Sequence, residues 1–512
     1  MKRALALALA AAGAAAALSA YAATRPDPGV QAQADGCGRD RTAQFRQEAP
    51  VWVYVGDRDA PATGPPPAPQ WASGILHSEQ PSFYAVHPTP IDDPVNHDSY
   101  DVILNIRPDP AYASLLGGDE GAHTGNFAGD DEETGRLHTE LEQNAYPPFA
   151  WPESGDRVTV LGSWVWDCGH WRPGGERTEF HPFRALWVQR SPTAKGSGPS
   201  PRSPYGEAEG DLLITTDKTP AGKHEDCAHR TKGDAAAFKV CLAAEPDRLG
   251  VNGEYRFTLP APPRPSPRAR LRVRVVDAGS TANAPEVAVT PAGRGATVSV
   301  TVDAPAGERV VVAKQVFVGW SPMPPRALPL HLRVTFQELL VRRAMDPGCP
   351  PAQPACTSVQ TTRRGQITAP PGEWAVYSDV AGVWSPWPLL RPRDGQRVAL
   401  RRKVDVYVGL RSPWRLFVFA RECDFGALSA SDPSRPPAPC PKGGEFGDGD
   451  GDDSPGAVVD RYPSPAGSVG LHRSDALLEA STCPPANAEG CYRLTYRVEL
   501  VDDTAKRARA SR

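Results

Sequence analysis

The chain has 512 residues, with 56 basic and 60 acidic side chains. Its formal charge of −4 argues against nucleic acid or an anionic membrane as partner. The 57 prolines and 47 glycines suit many turns and few long helices, which points away from a helical fold.

At the N-terminus, Lys2 and Arg3 precede an Ala/Leu run from Ala4 to Leu18, and Ala20-Tyr21-Ala22 offers a small-residue cleavage site. This pattern predicts a signal peptide over 1–22 and an exported protein, secreted or periplasmic. No later stretch is long and apolar enough to be a transmembrane segment. Losing Lys2 and Arg3 with the signal leaves a charge of −6. Ten cysteines in an exported chain predict disulfides. Pairing neighbours in order gives Cys227 with Cys241, Cys349 with Cys356, Cys423 with Cys440 and Cys483 with Cys491. Cys37 and Cys168 remain and pair by elimination, although order along the chain leaves the connectivity open.

Strand-like runs follow in chain order: VWVYV from 51, DVILNI from 101, RVTVLGSWVWD from 157, YRFTL from 255 and RLRVRVV from 270. ATVSVTV from 296, RVVVAKQVFVGW from 309, HLRVTF from 331, WRLFVFA from 414 and YRLTYRVELV from 492 complete them. Alternation of apolar and polar residues with many β-branched and aromatic side chains is the strand signal. Asp234–Ala243 and Ser474–Ala480 read as short helices. The expected fold is all-β: two or three tandem antiparallel sandwich or barrel-like domains stapled by disulfides. We place an N-terminal β domain at 37–190, a Ser/Pro/Gly linker at 191–210, a β-sandwich at 211–328 and a C-terminal β-sandwich at 329–505. The last two could equally form one larger sandwich. Residues 506–512 read as a disordered tail. Arg268, Arg270, Arg272 and Arg274 alternate with apolar residues, as on the solvated face of a half-buried strand.

The chemistry-bearing residues of the first domain crowd into two stretches. Residues two apart in a strand share a face. HTELE therefore sets His138, Glu140 and Glu142 on one side, and TEFHP sets Glu179 and His181 together. Pro182 predicts that this second strand ends or lies at an edge. Asp167 and His170 fall just past the preceding strand. Imidazole and carboxylate ligands at His138, Asp167, His170, Glu179 and His181 would suit zinc or manganese. The D-x-x-H-x8-E-x-H spacing matches no zinc signature, so the same groups read first as a hydrogen-bonded corner of a β-domain, then as a metal site, and last as a metal-free acid/base pair. No nucleophile elbow or nucleotide loop is present, and paired cysteines leave no thiol nucleophile.

GDRVTVLGSWVWDCGHW followed by ERTEFHPFR resembles a segment of uncharacterised secreted bacterial proteins, marked by W-x-x-D-C-G-H and then T-E-x-H-P. The resemblance spans about residues 97–190 and implies a shared domain without an assigned activity. GDRVTVLGSWV also resembles the strand–glycine–strand run of small closed barrels.

In the last domain, FGDGDGDDSPG places Asp448, Asp450 and Asp452 at alternate positions among glycines, a calcium-loop candidate. Position twelve of a helix–loop–helix calcium loop would be Val459, so the match is to a sandwich loop or to a solvated acidic turn. Trp374, Tyr377, Trp384 and Trp387 could stack on a sugar, but core packing is their expected role. Two functions compete. One is a non-catalytic β-domain protein presenting loops to an extracellular glycan or protein, with calcium, zinc or manganese as its conceivable ions. The other is a metal-dependent hydrolase using the first-domain cluster, with Glu140 or Glu179 as general base.

Overall fold

The run from Arg157 folds back on itself and closes a barrel. The computed structural model describes residues 52–55, 69–76, 101–128, 134–142, 145–172, 175–190, 200–217, 249–305, 307–324, 328–342, 344, 374–388, 390–422, 455–476 and 491–501. Strands β1 (Trp52–Tyr54), β2 (Gln70–Leu76), β3 (Asp101–Pro108), β4 (Leu137–Glu142), β5 (Arg157–Arg172) and β6 (Gly175–Gln189) belong to the first region. The order β5-β2-β3-β4-β6 returns to β5 because β6 also pairs with β5, so five strands form a ring. All neighbours in it are antiparallel except β4 and β6, which run parallel, His138 beside Glu179. A closed ring leaves no sheet edge, and its short Greek-key arrangement is that of small five-stranded barrels.

Cross-strand register sorts the side chains into two sets. Ala72, Leu104, Ile106, Leu137, Val158, Val160 and Phe180 share one face and are buried in one apolar cluster. Trp71 and Trp187 lie on the opposite face, packed against Phe257 of the next sheet, so the first set lines the barrel and the second faces outward. The inner packing is close. A Cβ at Gly162 would lie 2.7 Å from Phe180 Cβ, so glycine is what lets β5 and β6 approach there.

Two expectations change. Asp167 and His170 lie within β5, which continues to Arg172, and not beyond its end. Pro182 neither ends β6 nor marks an edge. It falls where β6 exchanges neighbours: the pairing to β4 stops at Phe180, the pairing to β7 (Ala208–Thr215) starts at Ala185, and the β5 ladder skips residues 181 and 182. A residue without an N–H is tolerated in that gap.

β7, β12 (Val311–Ser321) and β9 (Arg270–Asp277) extend the barrel sheet, while β8 (Gly253–Pro260), β10 (Ala288–Ala292) and β11 (Gly295–Val302) form a second layer against it. Of the segment read as a linker, residues 200–210 are built into this region: Ser200 and Ser203 are buried and β7 begins at Ala208. Arg270 and Arg272 are exposed, as a solvated strand face requires. A Cβ at Gly210 would lie 2.2 Å from Trp187 Cη2, and that ring is held by stacking on Phe257 at 5.2 Å. Gly210→Ala should therefore destabilise the chain by about 1–3 kcal/mol through overpacking, read as a lowered urea midpoint. An unchanged midpoint would show that the Trp187 ring moves freely.

The last region is a sandwich of two four-stranded sheets. One has the order β16 (Arg397–Val408), β13 (Leu330–Val341), β20 (Tyr492–Leu500), β19 (Gly470–Asp475). The other has the order β15 (Val383–Pro386), β14 (Trp374–Val380), β17 (Trp414–Glu422), β18 (Gly456–Tyr462). Its own core joins Leu332, Val334 and Phe336 to Val376, Leu416 and Val418. Ser474 and Asp475, read as the start of a helix, end β19 instead, because pairing with Leu494 and Arg493 overrides local propensity. Trp374, Tyr377, Trp384 and Trp387 are all buried, which makes them core residues and excludes a sugar platform. Asp234–Ala243 lies outside the described residues. No helix among the described residues is long and apolar enough to cross a membrane.

Candidate metal centre

The outward face of the barrel carries a buried polar patch where β3, β4 and β6 adjoin. Asn105 sits opposite His138, and His138 beside Glu179, so register alone brings three polar side chains into one row. Glu140 and His181 follow two residues on along the same faces. His138, Glu140, Glu179 and His181 are each no more than 2% exposed. One ligand atom from each of His138, Glu140 and Glu179 lies within 4.8 Å of the other two.

Glu140 is the hub. Its Oε1 contacts His138 Nε2, and its Oε2 accepts from His181 Nδ1 at 2.7 Å. His181 Nδ1 is also 3.6 Å from Glu179 Oε1. Burial opposes a charge on Glu140, but attraction to His138 and hydrogen bonds from His138 and His181 outweigh it, holding its carboxyl well below the ordinary range. His138 donates from Nδ1 to Asn105 Oδ1 at 2.7 Å. With that proton committed, it is Nε2, the donor to Glu140, that would give up its proton and offer a lone pair to an ion among the carboxylates. A carbonyl oxygen orienting the remote ring nitrogen is the arrangement metal-binding histidines use.

Asp167 is engaged elsewhere. Arg177 Nε donates to its Oδ2 at 2.9 Å and lies 3.9 Å from Glu179 Oε2, so Arg177 bridges Asp167 to the edge of the cluster. Asn126 braces the same strand, accepting from Thr178 N at 2.8 Å and donating to Thr178 O at 2.9 Å. The adjoining cavity, lined by Asn105, Asn126, Arg136, His138 and Arg177, measures about 10 Å³. That is room for about one water.

The same-face pairs were readable by period two; Asn105 and Arg177 were not, since nothing in the sequence says which strands adjoin. The side chains of Glu142, Cys168 and His170 lie outside the described residues, as do Asp448, Asp450 and Asp452. So do Cys37, Cys227, Cys241, Cys349, Cys356, Cys423, Cys440 and Cys483. Cys491 is disulfide-bonded.

A second buried cluster, not anticipated from the sequence, joins the three regions. Arg190 directly follows β6; its Nε donates to Asp211 of β7, its Nη1 to Asp156 at 3.3 Å, and its Nη2 to the carbonyls of Phe149 and Trp151. Arg202 Nη1 binds Glu209 at 2.8 Å and Asp211 at 3.1 Å. Arg415 of β17 spans Glu153 and Asp379, each at 3.0 Å. Burial and the neighbouring Glu209 charge push Asp211 up to about 7. The one sequence signal was a pair of acids inside a wholly buried strand, AEGDLLIT.

No protein-family model matches the chain, and no curated protein matches it. Solved structures share small likenesses. One titled "Structure of a C2 domain" is 13% identical, with a TM-score of 0.16 over 33% of this chain and 99% of that one. A two-domain piece of Extended-Synaptotagmin 2 is 8% identical, with a TM-score of 0.17 over 88% of this chain and 95% of that one. At such TM-scores these likenesses carry no argument about site or partner.

Proposed function

We propose that this chain is an exported, non-catalytic binding protein whose N-terminal barrel is pinned by a buried transition-metal ion. The observation that carries the metal reading is the convergence of His138 Nε2, Glu140 and Glu179 within one ligand sphere, with His181 at its margin. Two imidazoles and two carboxylates, closed off from solvent, make a donor set suited to structural zinc, with manganese the alternative ion.

Burial weighs against the hydrolase. A catalytic ion keeps one position open for water and substrate. Here the ligands are at most 2% exposed and the adjoining cavity holds about one water, so Glu140 and Glu179 serve as ligands and not as general bases. An ion at this point ties β4 to β6, the one parallel and shortest pairing of the ring.

Mature protein recovered from the exported fraction should carry about one equivalent of zinc or manganese by elemental analysis. His138→Gln and Glu179→Gln should each lose it. Wild-type protein that stays metal-free after loading with either ion would overturn the metal reading, and retention of the chain in the cytosol would overturn export.

A further inference from the structure

The outer face of the β16-β13-β20-β19 sheet departs in charge from the rest of the chain. Alternation turns Arg397, Arg401, Lys403 and Asp405 of β16 outward, and cross-strand register places β13, β20 and β19 residues beside them. The acids of this face are paired there: Asp405 with Arg333 at 2.8 Å and His331 at 3.1 Å, Glu338 with Arg397 at 2.5 Å, and Asp475 with Arg493 at 2.8 Å and with Arg342. Arg401, Lys403, Arg473 and Arg497 are exposed and have no ion pair among the described residues. Glu499 is the remaining outward acid, so this face is strongly basic on a chain whose charge is −4.

The face is also concave. A cleft of about 570 Å³ crosses it, lined by Glu338, Leu340, Arg397, Leu471, Arg473 and Arg493, among others, so all four strands contribute. Guanidinium groups spaced along a groove meet carboxylate or sulfate groups with paired hydrogen bonds. Leu471, 45% exposed, sits among arginines and not on a projecting loop, which gives a bilayer nothing to take up. Tyr407, the aromatic of this face, packs at a tilt against His331 with ring centroids 4.7 Å apart, which leaves no free platform for the bases of a single-stranded nucleic acid.

We infer that this face binds an acidic polysaccharide, with Arg473 lining the cleft and Arg497, Arg401 and Lys403 on the sheet beside it as anion contacts. The inference rests on the binding-protein reading above and names the ligand class. It does not depend on the barrel ion.

Full-length mature protein should bind heparin and polygalacturonate by calorimetry, weaken with added salt, and ignore neutral dextran. The double variant Arg473→Glu/Arg497→Glu should lose at least about tenfold in affinity, with unfolding midpoint and metal content unchanged. The matched reversal Arg270→Glu/Arg272→Glu on β9 should leave binding intact. Failure to bind either acidic glycan, equal losses in both double variants, or tighter binding to duplex DNA or to phosphatidylserine vesicles would overturn it. Each of those outcomes leaves the barrel ion untouched, so the two readings fail separately.

Discussion

Replacing Arg190 with alanine should cost the chain about 3–5 kcal/mol, because it leaves buried carboxylates without their cation. Arg190 is the shared partner of Asp211 and Asp156, and it also satisfies two backbone carbonyls. Burial acts to lower its pKa, but attraction to Asp211, Asp156 and Glu209 raises it further, so it stays charged at every accessible pH. The same cluster predicts a pH dependence. Around Arg190, Arg202 and Arg415 stand five carboxylates, Glu153, Asp156, Glu209, Asp211 and Asp379. Glu153 is also pushed up to about 7, by burial and Asp379, but 30% of its side chain is exposed, which leaves Asp211 as the group most governed by its surroundings. A carboxyl raised from 3.8 to about 7 on folding binds its proton more tightly in the native state. Its contribution is complete below about pH 4 and is lost as pH rises through about 7. Asp211→Asn should therefore be the less stable chain, or equal, at pH 5, and should gain on wild type by pH 8. Urea midpoints of both chains at those two pH values measure it. A gap that does not move with pH would mean that Asp211 is ionised throughout.

Removing Glu140 is expected to have the second large effect. Its carboxylate contacts both His138 and His181, and it is 2% exposed. Glu140→Ala leaves two buried imidazoles short of an acceptor, a loss of about 1–3 kcal/mol for each unsatisfied group. It should also abolish stoichiometric metal. Glu140→Gln keeps the shape while removing the charge, so it should lose metal with a smaller loss of stability. Asn105→Ala removes no ligand and only frees the His138 ring; it should weaken metal affinity by about 10–100-fold. Chelator competition with each purified variant separates these cases. Equal metal affinity in wild type and Glu140→Gln would show that the cluster is a hydrogen-bonded corner and holds no ion.

Much of the site was legible before the fold was known, and the parts that were not have identifiable causes. HTELE and TEFHP each announce a same-face pair, because the period of a strand is two wherever it pairs. That rule cannot say that β4 and β6 lie side by side, since β5 separates them in sequence. It therefore put Asp167 among the metal ligands and Glu140 only among the general bases. Arg177 decided between them by occupying Asp167 at 2.9 Å. Pro182 misled for a similar reason: a missing N–H excludes a residue from a ladder, but β6 changes ladders at that residue. Local propensity misread Ser474 and Asp475, which β20 captures as a strand.

By itself, the sequence determined the strand content and the polar pairs on β4 and β6. These follow from backbone geometry and side-chain period, which are local. Only the tertiary structure decided ring closure, the burial of the cluster and the choice of Glu140 as its hub. It alone gathered Arg190, Arg202 and Arg415 with five carboxylates from distant segments. Those features depend on which strands become neighbours. That is settled by burying apolar faces across the whole chain, and no short stretch of sequence records it.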